Sequence, residues 1–375
     1  MKALSLVEGA IFGWTRTRFL AVLFTIMFVK TGIWHIPNLG SSIRIAQNPF
    51  ILWEPRASEQ YIFTSWLAPF LAWLIGATQD GLFLLLHLGF SLAFTTLVAW
   101  LAFTRLEEAQ ARASMIIFAV MPVSATAYFW IGNDSLTLLL MASALALRDR
   151  APLAACVGVL LGLQHFEQSM FGFAALAVAS FATPRFGGPA IYPWRSAVAV
   201  IGGVIAGKLA LMLIFHLSGM QVTGRTGWFL TYLTTMLGQF WFHSQYVVWT
   251  VLGAGWLVAI RYADRGRAAI PFLVCLLGLL PLLMVVNDQT RVLAIVTFPL
   301  VFAFWLAEPD FLSSLSRREV AALAIVWLIV PWAWVYEGIP TWSILPYDLV
   351  YIANKAFGWF TVPDVNVSGW PFGKR

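Results

Sequence analysis

Apolar residues fill this chain in long unbroken runs, and polar residues come in short groups between them. A helix needs roughly 17–25 apolar residues to cross a hydrocarbon layer about 30 Å thick. Runs of that kind recur along the whole sequence, at about 18–36, 81–104, 113–131, 135–148, 151–165, 169–182, 197–217, 246–261, 268–287, 291–307 and 319–336. The pattern predicts an all-α polytopic membrane protein with about 11 transmembrane helices. The segment 61–76, YIFTSWLAPFLAWLIG, stands apart: it is short, contains Pro69 and has polar flanks at Ser58–Gln60 and up to Asp80. No period of 20–50 residues and no inverted repeat is visible, which disfavours a solenoid or a transporter built from two related halves.

Composition agrees with the pattern. The 375 residues are 60% hydrophobic and 11% charged, with a mean hydropathy of +0.81. A soluble domain carries about 25% charged residues. No polar stretch is long enough for a separate soluble domain, so residues 1–375 read as a single transmembrane domain. The net charge of +6 fits basic inner loops and contact with anionic lipids, and not nucleic-acid binding. The start, MKALSLVEGAIFGWTRTRFL, lacks a compact apolar core followed by a small-residue cleavage site, and is expected to be an amphipathic cytoplasmic lead-in. Cys156 and Cys275 lie in apolar runs and are expected to be buried thiols acting as small hydrophobes.

Charge placement sets the expected orientation. If 61–76 lies along the surface, the inner segments hold Lys2, Arg16, Arg18, Arg105, Arg112, Arg148, Arg150, Arg185, Arg195, Arg261, Arg265, Arg267, Arg317 and Arg318, which is 14 of the 23 Lys and Arg. The outer segments hold Arg44, Arg56, Arg225, Arg291, Lys355, Lys374 and Arg375. A crossing 61–76 would invert every later loop and break the positive-inside rule. The segment is therefore expected to be an interfacial or re-entrant helix in the first outer loop. The N-terminus falls on the cytoplasmic side and a tail from 337 to 375 on the outer side.

The polar groups suited to chemistry then gather on the outer face. The first outer loop carries Glu54 and Glu59 among aromatic residues, and either is a candidate carboxylate base. The turn Asn133–Asp134 precedes a span of only about 14 residues. Asp134 suits a helix cap, and the short helix would sink it toward a cavity. The turn LQHFEQSMF gathers His165, Glu167 and Gln168, more polar groups than a connection needs. In MVVNDQTRVLAIV, Asp288 and Arg291 suit a local salt bridge with a helix cap, or a guanidinium that grips phosphate with Asp288 orienting it. Lys208 lies near mid-span and would snorkel or pair with a buried acid. His87 reads as a packed helix histidine, and His216 and His243 lie near the outer boundary. Walker, HExxH, CxxC and G-x-S-x-G motifs are absent, and the five histidines show no metal-ligand spacing.

Four features in order resemble the GT-C superfamily of integral-membrane glycosyltransferases. The first is an N-terminal span followed by a long outer loop with Glu54 or Glu59 and then SWLAPFLAWLIG. A basic inner turn follows, TRLEEAQARA, and then a proline-containing span ending in an outer Asp turn, AVMPVSATAYFWIGNDSLTLLLMASALALRDR. The last is a polar outer turn, GVLLGLQHFEQS. The likeness covers about 15–185; about 186–336 is a variable helical module that matches only in topology. Many members carry an acidic pair soon after the first span, whereas Glu54 and Glu59 stand singly and further on.

The resemblance implies inverting transfer of a sugar from a polyprenyl-phosphate carrier to a lipid, glycan or protein acceptor on the non-cytoplasmic face. It implies a carboxylate base, Glu59 or Glu54. Arg291, with Arg225 or His165, would hold the leaving phosphate. Asp134 and Glu167 would bind sugar hydroxyls or orient the base, with Asn133, Gln168 and Asp288 as further substrate-binding candidates. No cofactor is required, and Asp134 is compatible with a divalent cation. The expected location is a bacterial inner (plasma) membrane, in cell-envelope polysaccharide biosynthesis, with membrane lipids as the other partners. A polysaccharide polymerase or ligase using a lipid-diphosphate glycan, and a transporter or flippase, remain as alternatives. On this reading Glu59→Gln and Arg291→Ala each abolish transfer in a sugar-transfer assay while the protein stays folded.

Overall fold

Residues 2–31, 39–129, 132–222, 225–336, 338–342 and 357–358 are described in a computed structural model, and most of them are helical. The helices are α1 (Lys2–Gly13), α2 (Arg16–Thr31), α3 (Leu39–Gln47), α4 (Leu67–Leu74), α5 (Asp80–Arg105), α6 (Glu108–Val120), α7 (Pro122–Phe129), α8 (Asn133–Ala146) and α9 (Ala151–Gln164). They continue as α10 (Phe166–Ala182), α11 (Trp194–Leu217), α12 (Arg225–Leu252), α13 (Trp256–Ala263), α14 (Ile270–Leu279), α15 (Gln289–Val301), α16 (Pro309–Ser314) and α17 (Arg317–Ile329). A π-helical turn, Phe302–Leu306, prolongs α15. After α17 come two antiparallel strands, β1 (Ala333–Tyr336) and β2 (Ile339–Trp342), with Tyr336 opposite Ile339.

Among the described residues, five helical stretches are long and apolar enough to cross a membrane: Asp80–Arg105, Trp194–Leu217, Trp228–Ala263, Gly266–Val285 and Gln289–Leu306. A sixth is counted if α6 and α7, bent by 66°, form one span. This is fewer than the eleven expected from the hydropathy runs, and the reason is helix length. The α8 and α9 helices have 14 residues each, roughly 21 Å at 1.5 Å per residue. An apolar run of that length is as well suited to a buried core helix as to a span, and α8 is buried on nearly every side. The run 319–336 divides because Pro331 forces the residue before it out of the helical region. Val330 is extended (φ −78°, ψ 123°), and the chain turns into the hairpin.

The long helices present apolar side chains outward. Leu85, Leu92 and Trp100 on α5, and Leu209, Met212 and Leu213 on α11, are exposed. A surface of this kind is a liability in water and fits a hydrocarbon surrounding. By contrast, 89% of Gln289–Leu306 is buried, against 33–50% of the other four spans, so α15 is the central post of the bundle.

The α9 and α11 helices make the closest crossing. Gly158 and Gly162 interlock with Gly203 and Gly207, and a Cβ added at any of the four would lie 2.1–2.4 Å from a carbonyl oxygen of the facing helix. Small residues four apart let two backbones meet directly, which is how membrane helices gain packing energy without a hydrophobic driving force between them.

The segment 61–76 does not form one helix. A 3₁₀ stretch, Ala57–Thr64, precedes α4, whose eight residues span roughly 12 Å. That is too short to cross, as expected of an interfacial element. Trp66 donates its indole N–H to the Pro49 carbonyl at 2.9 Å. Phe63 and Trp66 pack with Leu211, Phe215 and Met220 at one end of α11.

The opposite end of the bundle gathers the basic turns. Arg16 pairs with Glu108 at 2.7 Å, Arg261 with Glu319 at 3.0 Å, and Arg265 with Glu308. Arg112 donates to the Ile11 and Trp14 carbonyls. One smaller expectation is corrected. Cys156 is exposed on the outside of α9 and Cys275 is half-buried. Of the two outcomes expected for Lys208, no acid partner is found among the described residues, and its Nζ lies 5.5 Å from the centre of the Phe166 ring.

The crossing yields a sharp test. Gly207→Ala should destabilise the protein by more than the ~1–3 kcal/mol of ordinary overpacking, because backbone cannot move aside. Gly202→Ala on the same helix, with open space at its Cβ, should be neutral or slightly stabilising. Thermal unfolding in detergent compares the two.

Candidate functional site

At the end away from the basic turns, three helices begin side by side. The first turn of α8 carries Asp134, that of α10 carries Glu167, and α15 begins just after Asp288. Asp134 does not cap its own helix. The N-cap of α8 is Gly132, with no side-chain cap bond. The Asp134 carboxylate instead reaches 157 residues along the chain and accepts a hydrogen bond from Arg291 Nη1. Arg291 Nε donates to Asp288, and the other Asp288 oxygen accepts the Trp334 indole N–H at 2.7 Å. Both acids are buried, Asp134 at 4% and Asp288 at 6% exposure.

The sequence pointed to Arg291 as a phosphate holder. In the structure its guanidinium lies between two carboxylates, so any anion reaching it competes with both. The local salt bridge with Asp288 is present, and Asp288 is the N-cap residue of α15 but makes no side-chain cap bond.

Neighbouring elements fix this cluster. The Val335 amide donates to Thr290 Oγ1 at 3.0 Å, and Thr290 donates in turn to Thr250 Oγ1 on α12 at 2.8 Å. The hairpin turn rests on α12: Gly338 has φ +76°, and a Cβ there would meet the His243 ring and the Gln239 carbonyl. Gln164, the last residue of α9, donates to the Asn133 carbonyl at 2.7 Å and accepts the Ala68 amide at 2.8 Å. Asn133 Nδ2 reaches Ser42 Oγ on α3 at 3.3 Å. The first-loop helices α3 and α4 are thereby tied to the start of α8.

His165 and Gln168 are buried, and His165 Nδ1 lies 3.9 Å from Glu167 Oε2. Glu54 is bound away from this cluster. Its carboxylate accepts the Arg56 Nε–H at 2.9 Å and the Arg56 amide at 3.0 Å. Those bonds from Arg56 hold the Glu54 carboxyl below the usual carboxylate range, which makes it a weaker proton acceptor. The side chains of Glu59 and Arg225 lie outside the described residues. His87 is fully buried and its Nδ1 meets the Phe83 carbonyl at 2.8 Å, the packed helix histidine expected.

Among the described residues, no group of three or more His, Cys, Asp and Glu could hold a metal ion. Two cavities of about 10 Å³ lie elsewhere, one beside Arg105 and Ser114 and one between Met121, Val251 and Phe298. Comparison with family models, with curated proteins and with solved structures gives no match.

Asp134, Asp288 and Arg291 therefore meet in space, with Asn133 beside them; Glu54 does not join them. Sequence reasoning missed Trp334, Thr290, Thr250, Gln164 and Ser42. Pro331, and the aromatic and β-branched residues on either side of Gly338, were the legible signs of a hairpin. Nothing in the sequence shows that Trp334 would meet Asp288.

The cluster corrects the expectation that Arg291→Ala leaves the fold intact. Removing the guanidinium strands two buried carboxylates and should cost about 3–5 kcal/mol. Trp334→Phe removes one bond to a carboxylate and should cost about 1.5–3 kcal/mol. In detergent unfolding, the Arg291→Ala/Asp134→Asn pair should lose less than the sum of the two single changes.

Proposed function

We propose that this is a membrane glycosyltransferase that moves a sugar from a polyprenyl-phosphate carrier to an acceptor at the end of the bundle holding Asp134 and Arg291. The observation that carries the proposal is the Asp134–Arg291–Asp288 cluster, with both acids buried, lying where the loop with Glu54 and Glu59 is tied to the start of α8. The separation of basic turns to the other end supports placing this end on the non-cytoplasmic side.

In the proposed reaction Glu59 accepts the acceptor hydroxyl proton. The acceptor oxygen bonds to the anomeric carbon as the bond from that carbon to the phosphate oxygen breaks, inverting the configuration. The electron pair leaves with the lipid phosphate. Glu59 is preferred to Glu54 because Arg56 already occupies the Glu54 carboxylate. Arg291 is shared by two acids, so the phosphate falls to Arg225, and Arg291 serves to fix Asp134. No metal or organic cofactor is assigned to a step.

Two observations favour the transport alternative: α6 and α7 are bent by 66°, and α12 departs from helical geometry at His243. Broken helices line the paths of many carriers. The two readings separate in proteoliposomes loaded with polyprenyl-phosphate sugars. A transferase releases polyprenyl phosphate, and Glu59→Gln should slow that release by ~10²–10⁴-fold with unfolding temperature unchanged. Movement of intact donor across the bilayer, equal in wild type and Glu59→Gln, would support a carrier instead.

A further inference from the structure

The start of α15 holds a polar group that the protein itself does not satisfy. Gln289 is fully buried, and neither its Oε1 nor its Nε2 has a hydrogen-bond partner among the described residues. Gln168, in the first turn of α10, is 3% exposed, and its Oε1 is likewise unpartnered. Buried amides in folded proteins are nearly always paired, so each such orphan asks for a partner.

The two amides lie along one seam. The α10 and α15 helices both run inward from the site end and touch at Gly172, where a Cβ would lie 2.8 Å from the Val296 carbonyl. Gln168 is four residues before Gly172 and Gln289 seven before Val296, so each lies on the contacting face of its helix. By helical rise they stand roughly 6 Å and 10 Å toward the site end from that contact.

The charge around the seam decides what fits there. Helix N-termini attract anions, but Asp134, Glu167 and Asp288 already occupy the starts of α8, α10 and α15. Arg291 is shared between two of these acids. A phosphate placed among three carboxylates meets repulsion. A neutral polyol does not: its hydroxyls donate to carboxylates and amide oxygens and accept from the amide NH₂.

We propose that Gln289 and Gln168 form the floor of a sugar site and read the ring hydroxyls, while the lipid phosphate stays clear of the three carboxylates. This rests on the glycosyltransferase reading and narrows it.

The test uses the purified full chain in detergent and tryptophan fluorescence. The probes are polyprenyl-phosphate-linked glucose, mannose, galactose and arabinose, sugar-free polyprenyl phosphate, and deoxy analogues of the tightest donor. Gln289→Met and Gln168→Met should each weaken that donor by roughly 10–100-fold and leave sugar-free polyprenyl phosphate unaffected. A deoxy analogue should bind wild type and Gln289→Met equally, since the hydroxyl and the amide then count once. Exchange of an unpaired amide for an apolar group of similar shape should leave unfolding temperature unchanged or raised.

A donor that binds both variants as it binds wild type overturns the sugar floor and leaves the transferase reading standing. A lower unfolding temperature for Gln289→Met without donor shows an amide tied by ordered water, and also overturns it. Wild type that binds none of the donors overturns the transferase reading, and the sugar floor with it.

Discussion

Two carboxylates from distant parts of the chain share one guanidinium, and the architecture of the site end follows from that sharing. Asp134 and Asp288 cannot both be buried without the charge of Arg291, whose half-buried side chain lies between them. Burial of either acid alone carries a heavy desolvation penalty. The cluster therefore fixes α8 against α15, two helices that adjoin in space but not in sequence. It also fixes the hairpin after α17, because Trp334 completes the hydrogen bonding of Asp288. What reads as a ligand-binding arginine in one dimension also ties two helices together in three.

The rest of the bundle brings these helices to one level. The α9–α11 crossing has backbone against backbone, which leaves it little freedom to slide. Gln164 lies at the end of that rigid pair and hands its position on to Asn133 and Ala68. The first loop is thus held by a side-chain amide, with α4 lying over the start of α8. Pro299 and the π-helical turn come only near the far end of α15, so its first turns, where the site residues lie, stay regular.

Much of the site was legible residue by residue. Acids in short polar turns between apolar runs are expensive unless paired or functional, so Asp134, Glu167 and Asp288 drew attention by type alone. Their pairing was not legible. Arg291 lies three residues from Asp288 and 157 from Asp134, and the sequence shows only the first of these relations. Gln289 gave no signal, because a glutamine at a helix start is ordinary and only full burial without a partner makes it notable. The glycine spacing at 158 and 162 and at 203 and 207 was written in the sequence, but which pair meets which is a matter of docking.

The sequence by itself determined the helical class, the long apolar helices and the concentration of basic residues in alternate turns, because each depends on local composition and on hydropathy over a helix length. It did not determine how many apolar runs form crossing helices. Hydropathy sees that a segment avoids water and does not see how long a helix it forms, so the 14-residue α8 read as a full span. The structure alone decided that α15 is the central post, that α17 ends before Pro331 and gives way to a hairpin, and that Asp134 faces Arg291. Those are relations between surfaces far apart in the chain, set by packing and by the need to neutralise buried charge.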